Sequence, residues 1–506
     1  MIRFTVPDNV EPKTVLDELD SKYTLSSEHA YGRRQKYYDT FDWRLFEKEL
    51  VLMRREYEII LHTFYDEKGL ERIERKRRAD PRFWWDFQTG ALRDELKSII
   101  DVRALLPLIE LEVTGQSMRV LNEDQKTVCY LRVEEIALTR PKNSSSLPKL
   151  IYLKAVRGYA DTMLDLQNRL LAMGLQEEKR HLFGLALRAG EIKPGSYSSK
   201  LDVPLSPDMS AGQAARKIWS SLIDFVHQNE AGIRADLDTE FLHDFRVALR
   251  RTRAGISQIR DVLTPSAKEL FNTRLAELQK VTNRLRDLDV YLINKEHYKS
   301  MLPDEMQDEL ESLFLFFESE RKKEFSRVKR FLLTKKYKET LREWEQVLEN
   351  GLINGPSADM PVTDLACQQI TRRYRRILKR GTAIVDDTPD SELHALRIDC
   401  KKLRYLLEFF ISLFPQEKTL RFIKQLKKLQ DNLGEFNDLS MQKAELRRAL
   451  ELIPSQQKDP VKSASAIGGL IALLHRRQQA VRRDFGVTFQ TFAHERNADL
   501  FHQIFG

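Results

Sequence analysis

The chain has 506 residues, 42% hydrophobic and 32% charged, with 84 Lys plus Arg against 76 Asp plus Glu. That length and balance describe a folded chain of about two to four domains and exclude a disordered or collagen-like one. Residues 201–506 hold 50 basic against 44 acidic side chains and the rest 34 against 32, so any anion site must come from local segregation of charge. Three cysteines, Cys129, Cys367 and Cys400, are too few and too widely spaced for a disulfide framework or a CxxC metal site. The start, Met1 to Pro7, is too short in apolar residues for a signal peptide, and no run approaches the roughly 18 that a membrane span needs. A cytoplasmic protein is expected.

In chain order, Glu49 to Arg55, Tyr57 to Phe64, Leu108 to Val113, Val128 to Leu138 and Leu150 to Val156 read as strands, several alternating apolar with charged positions. Asp161 to Met173, closed by Gly174, reads as a helix with a glycine stop. Residues 1–196 are expected to form an α+β domain built mainly on antiparallel strands, half-buried or in a barrel. Lys193-Pro194-Gly195-Ser196-Tyr197 opens a polar linker to about Ser210, after which the periodicity is helical to the end. A second break, Asn350-Gly351 to Pro361, divides the all-α part, 206–506, into 206–350 and 361–506. The two are expected to be bundles of similar size, each of four helices.

The division coincides with an internal repeat at an offset of 151 residues. Leu242-His243-Asp244-Phe245-Arg246 to Arg253 returns as Leu393-His394-Ala395-Leu396-Arg397 to Arg404. The match continues without a gap through Phe271 and Phe422 to Asp287-Leu288 and Asp438-Leu439. At about 100° per residue, Arg246, Arg250 and Arg253 fall on the His243 side of a helix, while Phe245, Leu249, Ile256, Ile259 and Leu263 cluster opposite. The second copy sets His394, Arg397, Lys401 and Arg404 against Leu396, Cys400, Leu403, Leu407, Phe410 and Phe414. A basic helix face is ordinarily just solvated, but such a face intersperses acids at i and i+4, and none lies among Arg246, Arg250 and Arg253. An anionic ligand would remove that repulsion.

Further cations flank the copies. Arg372, Arg373, Arg376 and Lys379 precede the second, Lys424, Lys427 and Lys428 follow it, and Arg321 to Lys323 with Lys336 lie late in the first. Arg captures phosphate oxygens in pairs and Lys adds a mobile charge, so the mixture suits a polyphosphorylated ligand better than one carboxylate. Asp390-Ser391 reads as an N-cap, which sets His394 in the first turn, where free N–H groups also favour an anion. No metal site is expected: His243-Asp244 returns as His394-Ala395, and no HExxH exists.

These residues resemble the CHAD family, whose repeats carry a His-x-x-Arg-x-x-x-[Arg/Lys]-[Arg/Lys]-x-Arg helix and a later Arg-Asp or Asn-Asp, here Arg286-Asp287 and Asn437-Asp438. The resemblance covers roughly 206–506. It implies two four-helix bundles about a pseudo-twofold, a basic groove between them, and non-catalytic binding of inorganic polyphosphate, free or in granules, with no cofactor and no membrane. The matching residues are His243, Arg246, Arg250, Arg251 and Arg253, with His394, Arg397, Lys401, Lys402 and Arg404.

Tyr37 to Leu45, then Leu52-Met53-Arg54-Arg55, resemble the early part of a CYTH domain, the triphosphate tunnel fold, and Leu182 to Ala186 its closing part. Such enzymes hold a divalent metal on an N-terminal Glu-x-Glu-x-Lys strand, and this chain begins Ile2-Arg3-Phe4-Thr5-Val6 instead. A degenerate domain without efficient metal-dependent hydrolysis is expected. The alternative, residual triphosphate or polyphosphate hydrolysis, needs two acids on one tunnel floor, with Glu110, Glu112, Glu134 and Glu135 as candidates. Arg72, Arg75, Lys76, Arg77 and Arg78 read as a solvated strand or turn, with phosphate binding as the functional alternative. Another polyanion such as nucleic acid would need exposed aromatics for stacking, and Tyr374 and Tyr405 are the nearest.

Overall fold

The computed structural model describes residues 1–64, 71–75, 79–141, 147–349, 353–452 and 460–506. Lys76, Arg77, Arg78, Asn350 and Gly351 lie outside the described residues. The chain divides into two compact units, Met1–Ser198 and Ser199–Gly506.

The first unit is an antiparallel sheet of nine strands: β1 (Ile2–Thr5), β2 (Thr24–Asp39), β3 (Leu50–Arg55), β4 (Glu58–Thr63), β5 (Glu71–Glu74), β6 (Leu106–Leu121), β7 (Thr127–Arg140), β8 (Leu150–Ala155) and β9 (Gln176–Glu177). Their order is β5-β4-β3-β2-β6-β7-β8-β1-β9. Four helices, α1 (Pro12–Asp20), α2 (Ala91–Ile100), α3 (Ala160–Ala172) and α4 (Leu182–Ala189), cover it. Side-chain alternation sorts the core. Ile109, Leu111 and Val113 of β6, with Val51 of β3 and Tyr152 of β8, pack on α4. On the other face, Leu50, Leu52 and Leu61 meet α2, while Phe4, Val120 and Leu153 meet α1 and α3.

Two expectations change here. The sheet is not closed among the described residues, because its edges are the short strands β5 and β9, which pair only with β4 and β1. Strand β2, unforeseen, is 16 residues long. Its first half is mostly exposed, so Ser26, Ser27, Glu28 and His29 show no apolar alternation, and pairing with β6 holds the strand instead. Helix α3 ends as expected, with Gly174 left-handed at φ 86°.

The second unit is all-helical: α5 (Ala211–Arg234), α6 (Thr239–Gln258), α7 (Pro265–Ile293), α8 (Lys295–Ser300), α9 (Asp304–Gln307), α10 (Glu311–Leu332), α11 (Lys335–Glu349), α12 (Val362–Thr382), α13 (Asp390–Phe410), α14 (Gln416–Leu452), α15 (Pro460–Ala493) and α16 (Glu495–Phe505). The starts of α12, α13 and α14 lie 151 residues after those of α5, α6 and α7. Ser210 and Gln213 form a capping box on α5, and Asp238 accepts from Glu240 N (2.9 Å) and Phe241 N (3.2 Å) to start α6. Phe271, Leu275, Leu278, Leu285 and Leu288 of α7 are buried, as are Phe422, Leu426, Leu429, Phe436 and Leu439 of α14. Helix α5 packs on α6, α6 on α7 and α7 on α10; α12 packs on α13, α13 on α14 and α14 on α15. Further pairs, among them α5 with α12, α6 with α13, α10 with α15 and α9 with α15, join the two halves. Among the described residues no helix is long and apolar enough to cross a membrane.

Candidate anion-binding site

The two basic rows lie on α6 and α13, which pack together. Phe245, Leu249 and Ile256, and Leu396, Cys400, Leu403, Leu407 and Phe410, are all buried, which turns the cations outward from each core. Ile259 and Leu263 are buried beyond the end of α6, and Phe414 lies past the end of α13. Helix α13 starts at Asp390 with Pro389 at the cap position and no side-chain cap. Asp390 instead accepts from Arg482. His394 is therefore the fifth helical residue, past the free N–H groups expected to favour an anion there.

Two adjoining clefts run along these helices. The first is lined by His243, Arg246 and Arg250 of α6, Arg286, Asp287 and Tyr291 of α7, and Asn437, Asp438 and Glu445 of α14. The second is lined by Arg397 and Arg404 of α13, Gln430, Asp431 and Glu435 of α14, His297 and Tyr298 of α8, and Arg477 of α15. Lys401, Asp438 and Gln442 line both.

Fixed acceptors aim the arginines. Arg246 donates to Gln279 O (3.2 Å), Thr282 Oγ1 (2.9 Å) and Asn283 Oδ1 (2.7 Å), all neutral. Burial pulls its pKa down to about 10, Asp287 opposing. Arg250 Nε donates to Tyr405 Oη (2.8 Å) across the two halves. Arg397 reaches Asp438 at 3.4 Å, and His394 Nδ1 donates to Asn437 Oδ1 at 2.6 Å. Arg253 and Arg404 each bond the corresponding glutamine of the next helix, Gln279 at 2.7 Å and Gln430 at 3.5 Å.

Lys401 is the exception. Among the described residues no hydrogen bond or ion pair reaches its ammonium. Burial, then Arg397 and Arg250, lower its pKa to about 8, against an opposing pull from Asp438. Three arginines, Arg250, Arg397 and Arg404, act on it from the two helices.

Other expected residues lie elsewhere. Arg251 donates to Ser199 O (3.1 Å) and to Glu408 Oε2 (3.0 Å), an ion pair only 11% and 17% exposed. Arg373, Arg376 and Arg380 converge on buried Asp399: Arg373 at Oδ1 (2.5 Å), Arg376 (3.0 Å) and Arg380 (2.5 Å) at Oδ2. Lys402 faces this group, with Arg373, Arg376 and Arg260 around it. Arg372 and Lys379 of α12 and Lys424, Lys427 and Lys428 of α14 are exposed and line neither cleft. Arg321 is held by Asp236 and Asp289 at 2.7 Å, and Lys336 pairs with Glu277 at 2.7 Å. Tyr374 is buried against Phe501 (centroids 4.0 Å apart) and Tyr405 is buried, so neither is an exposed stacking ring. Glu240, His243 and Asp244 bring ligand atoms within 4.8 Å of one another, with Glu240 paired to Arg286 at 3.4 Å.

In the first unit the four candidate acids do not converge. Glu110 and Glu112 face away from α4 and pair with Lys36 (3.4 Å) and Arg34 (3.2 Å); Glu135 pairs with Lys149 (3.4 Å). Glu134 alone faces the α4 side, fully buried, where Oε1 accepts from Tyr31 Oη (2.5 Å) and Arg33 (2.8 Å). Gly115 makes this reach possible. It stands between Tyr31 and Glu134 in register, and a Cβ there would lie 2.7 Å from the Tyr31 ring. Arg3 and Arg132 both lie over Tyr152, at 5.4 and 4.7 Å.

Sequence reasoning missed Tyr291, Gln442, Tyr298 and Arg477 as cleft residues. Asp287 and Asp438 were visible, as the last repeated dipeptides.

The model of the CHAD domain family matches residues 217–447. Among solved structures, the chain resembles the CHAD domain from the plant Ricinus communis at 23% identity and a TM-score of 0.48, over 57% of this chain and 96% of that one. It also resembles PptA from Streptomyces chartreusis at 16% identity and a TM-score of 0.44, over 55% of this chain and 99% of that one. No curated protein matches the sequence. Residues 217–447 of this chain are a CHAD domain.

Proposed function

We propose that the helical unit binds inorganic polyphosphate, without catalysis, along the two clefts that share Lys401. The observation that carries this reading is Lys401 itself: an ammonium between Arg250, Arg397 and Arg404 with no hydrogen bond or ion pair among the described residues. Desolvating a cation beside like charges is unfavourable, and an anion at that point reverses the sign. CHAD membership supports a phosphate polymer as the anion. The basic groove then forms between halves related by a pseudo-twofold. Helices 151 residues apart pack on each other, and Ser312 Oγ bonds Ser463 Oγ at 2.9 Å, a residue meeting its own counterpart as a twofold contact requires.

The test is binding of long polyphosphate and of triphosphate to wild type, Arg250→Glu, Lys401→Glu and the double variant, with helicity checked by circular dichroism. A long chain bridging both clefts loses about tenfold or more in affinity on either reversal, and triphosphate loses less. Long-chain affinity equal to wild type in every variant would overturn the reading.

We propose further that the first unit is no metal-dependent phosphohydrolase, since each candidate acid is already paired to a cation and only Glu134 faces α4. Triphosphate hydrolysis by the full chain is then no faster with Mg²⁺ or Mn²⁺ than without. Metal-dependent turnover that disappears on mutating Glu110 and Glu112 would restore the enzyme. Three cysteines free of disulfides fit the reducing cytoplasm in which we place the protein.

A further inference from the structure

We infer that the helical unit carries a second phosphate-binding surface, on α12 and α13 around Arg260 and Lys402, separate from the two clefts; the ligand class rests on the polyphosphate reading. The feature that points to it is an imbalance of charge. Asp399 is 2% exposed, and three guanidiniums, from Arg373, Arg376 and Arg380, already occupy its two oxygens. Glu392 adds one further acid, at 3.4 Å from Arg380. Lys402 and Arg260 face the same group and gain neither a hydrogen bond nor an ion pair among the described residues. Five cations thus gather about two carboxylates, and the two left over repel each other.

Position separates this surface from the clefts. Lys401 and Lys402 are consecutive on α13, so they point about 100° apart, and Lys402 lines neither cleft. Arg260, just past the end of α6, brings the first half of the unit to the patch. Gln258, the last residue of α6, accepts from Arg373 and fixes that approach. Arg376 is 55% exposed, so N–H groups not turned toward Asp399 remain open to a ligand. The centre of the patch holds guanidinium and ammonium groups rather than the apolar side chains a folded partner would need, which favours a small, highly charged oxyanion. Phosphate oxygens between Lys402, Arg260 and the outer edge of Arg376 would supply the missing counter-charge.

The probe is inorganic tripolyphosphate, titrated calorimetrically at low salt into full-length wild type, Lys401→Glu, Arg260→Ala with Lys402→Ala, and all three changes together. None of these replaces a residue bonded to Asp399, and circular dichroism checks the fold. The Lys401→Glu protein is expected to keep a binding event, and adding the Arg260 and Lys402 changes to weaken that remaining event about tenfold or more. The inference is overturned if folded Lys401→Glu protein binds no tripolyphosphate, if the triple variant binds as well as Lys401→Glu, or if wild type binds none. Loss on changing Arg260 and Lys402, with no effect of Lys401→Glu, would retain the second surface and remove the cleft reading.

Discussion

Arg251 and Lys402 occupy the same station on helices α6 and α13 and have opposite fates. Arg251 is locked to Glu408 of the other helix, whereas Lys402, among the described residues, has no hydrogen bond or ion pair beside the Asp399 group. The difference originates elsewhere on the helices. Where α13 has Glu408, α6 has Ser257, and where α13 has Asp399, α6 has Ala248. An internal repeat therefore preserves the helix, its buried face and the direction of each cation, while the partner that decides whether a cation is structural or available comes from a position that was not kept. Arg246 and Arg397 differ for a related reason: the acid is kept in both copies, as Asp287 and Asp438, but Arg246 donates to Thr282 and Asn283, whose counterparts are Leu433 and Gly434, while Arg397 reaches Asp438.

The largest effect that would break this comparison is at Asp399. Removing it by Asp399→Ala strands Arg373, itself 8% exposed, and should cost about 3–5 kcal/mol, as losing one partner of a buried pair does. Thermal or urea unfolding of the helical unit reads this, and wild-type stability in the variant would remove the keystone role. Arg251→Ala comes next, at about 1–3 kcal/mol, because Glu408 Oε2, on a side chain only 17% exposed, loses its partner while Oε1 keeps Arg404 at 2.7 Å. Lys402→Ala, the same change at the counterpart, should stay within about 0.5 kcal/mol. Equal losses at the two positions would mean that the copies do not differ in the way described.

Much of the helical unit was legible because a repeat at fixed offset reports helix, phase and buried face together. Phe245 with Leu396, Leu249 with Cys400 and Phe271 with Phe422 are all buried as their spacing required. Ion pairing was not legible, since Glu408 lies more than 150 residues from Arg251 and no local pattern marks the two as partners. The separation of Lys401 from Lys402 follows from helical phase, yet the clefts needed α8, α14 and α15 to be placed before either lysine had an environment. In the first unit, alternating strands were readable and β2 was not, because its exposed half carries polar side chains on both faces. Closure into a barrel depended on edge pairing, which no single strand encodes.

The most direct test of the central claim is proton uptake on binding. Burial and neighbouring arginines hold the Lys401 pKa at about 8, below its ordinary 10.5, so near pH 8 the free protein carries this ammonium only part of the time. A bound polyanion favours the charged form and raises the pKa, so binding draws a proton in, and affinity falls as pH rises from about 7 to 9. Calorimetry with long polyphosphate at pH 8, in two buffers of different ionisation heat, should show about half a proton taken up by wild type beyond that of Lys401→Arg. Equal uptake by the two proteins, with both binding tightly, would mean that the polymer does not lie on Lys401 and would contradict the account.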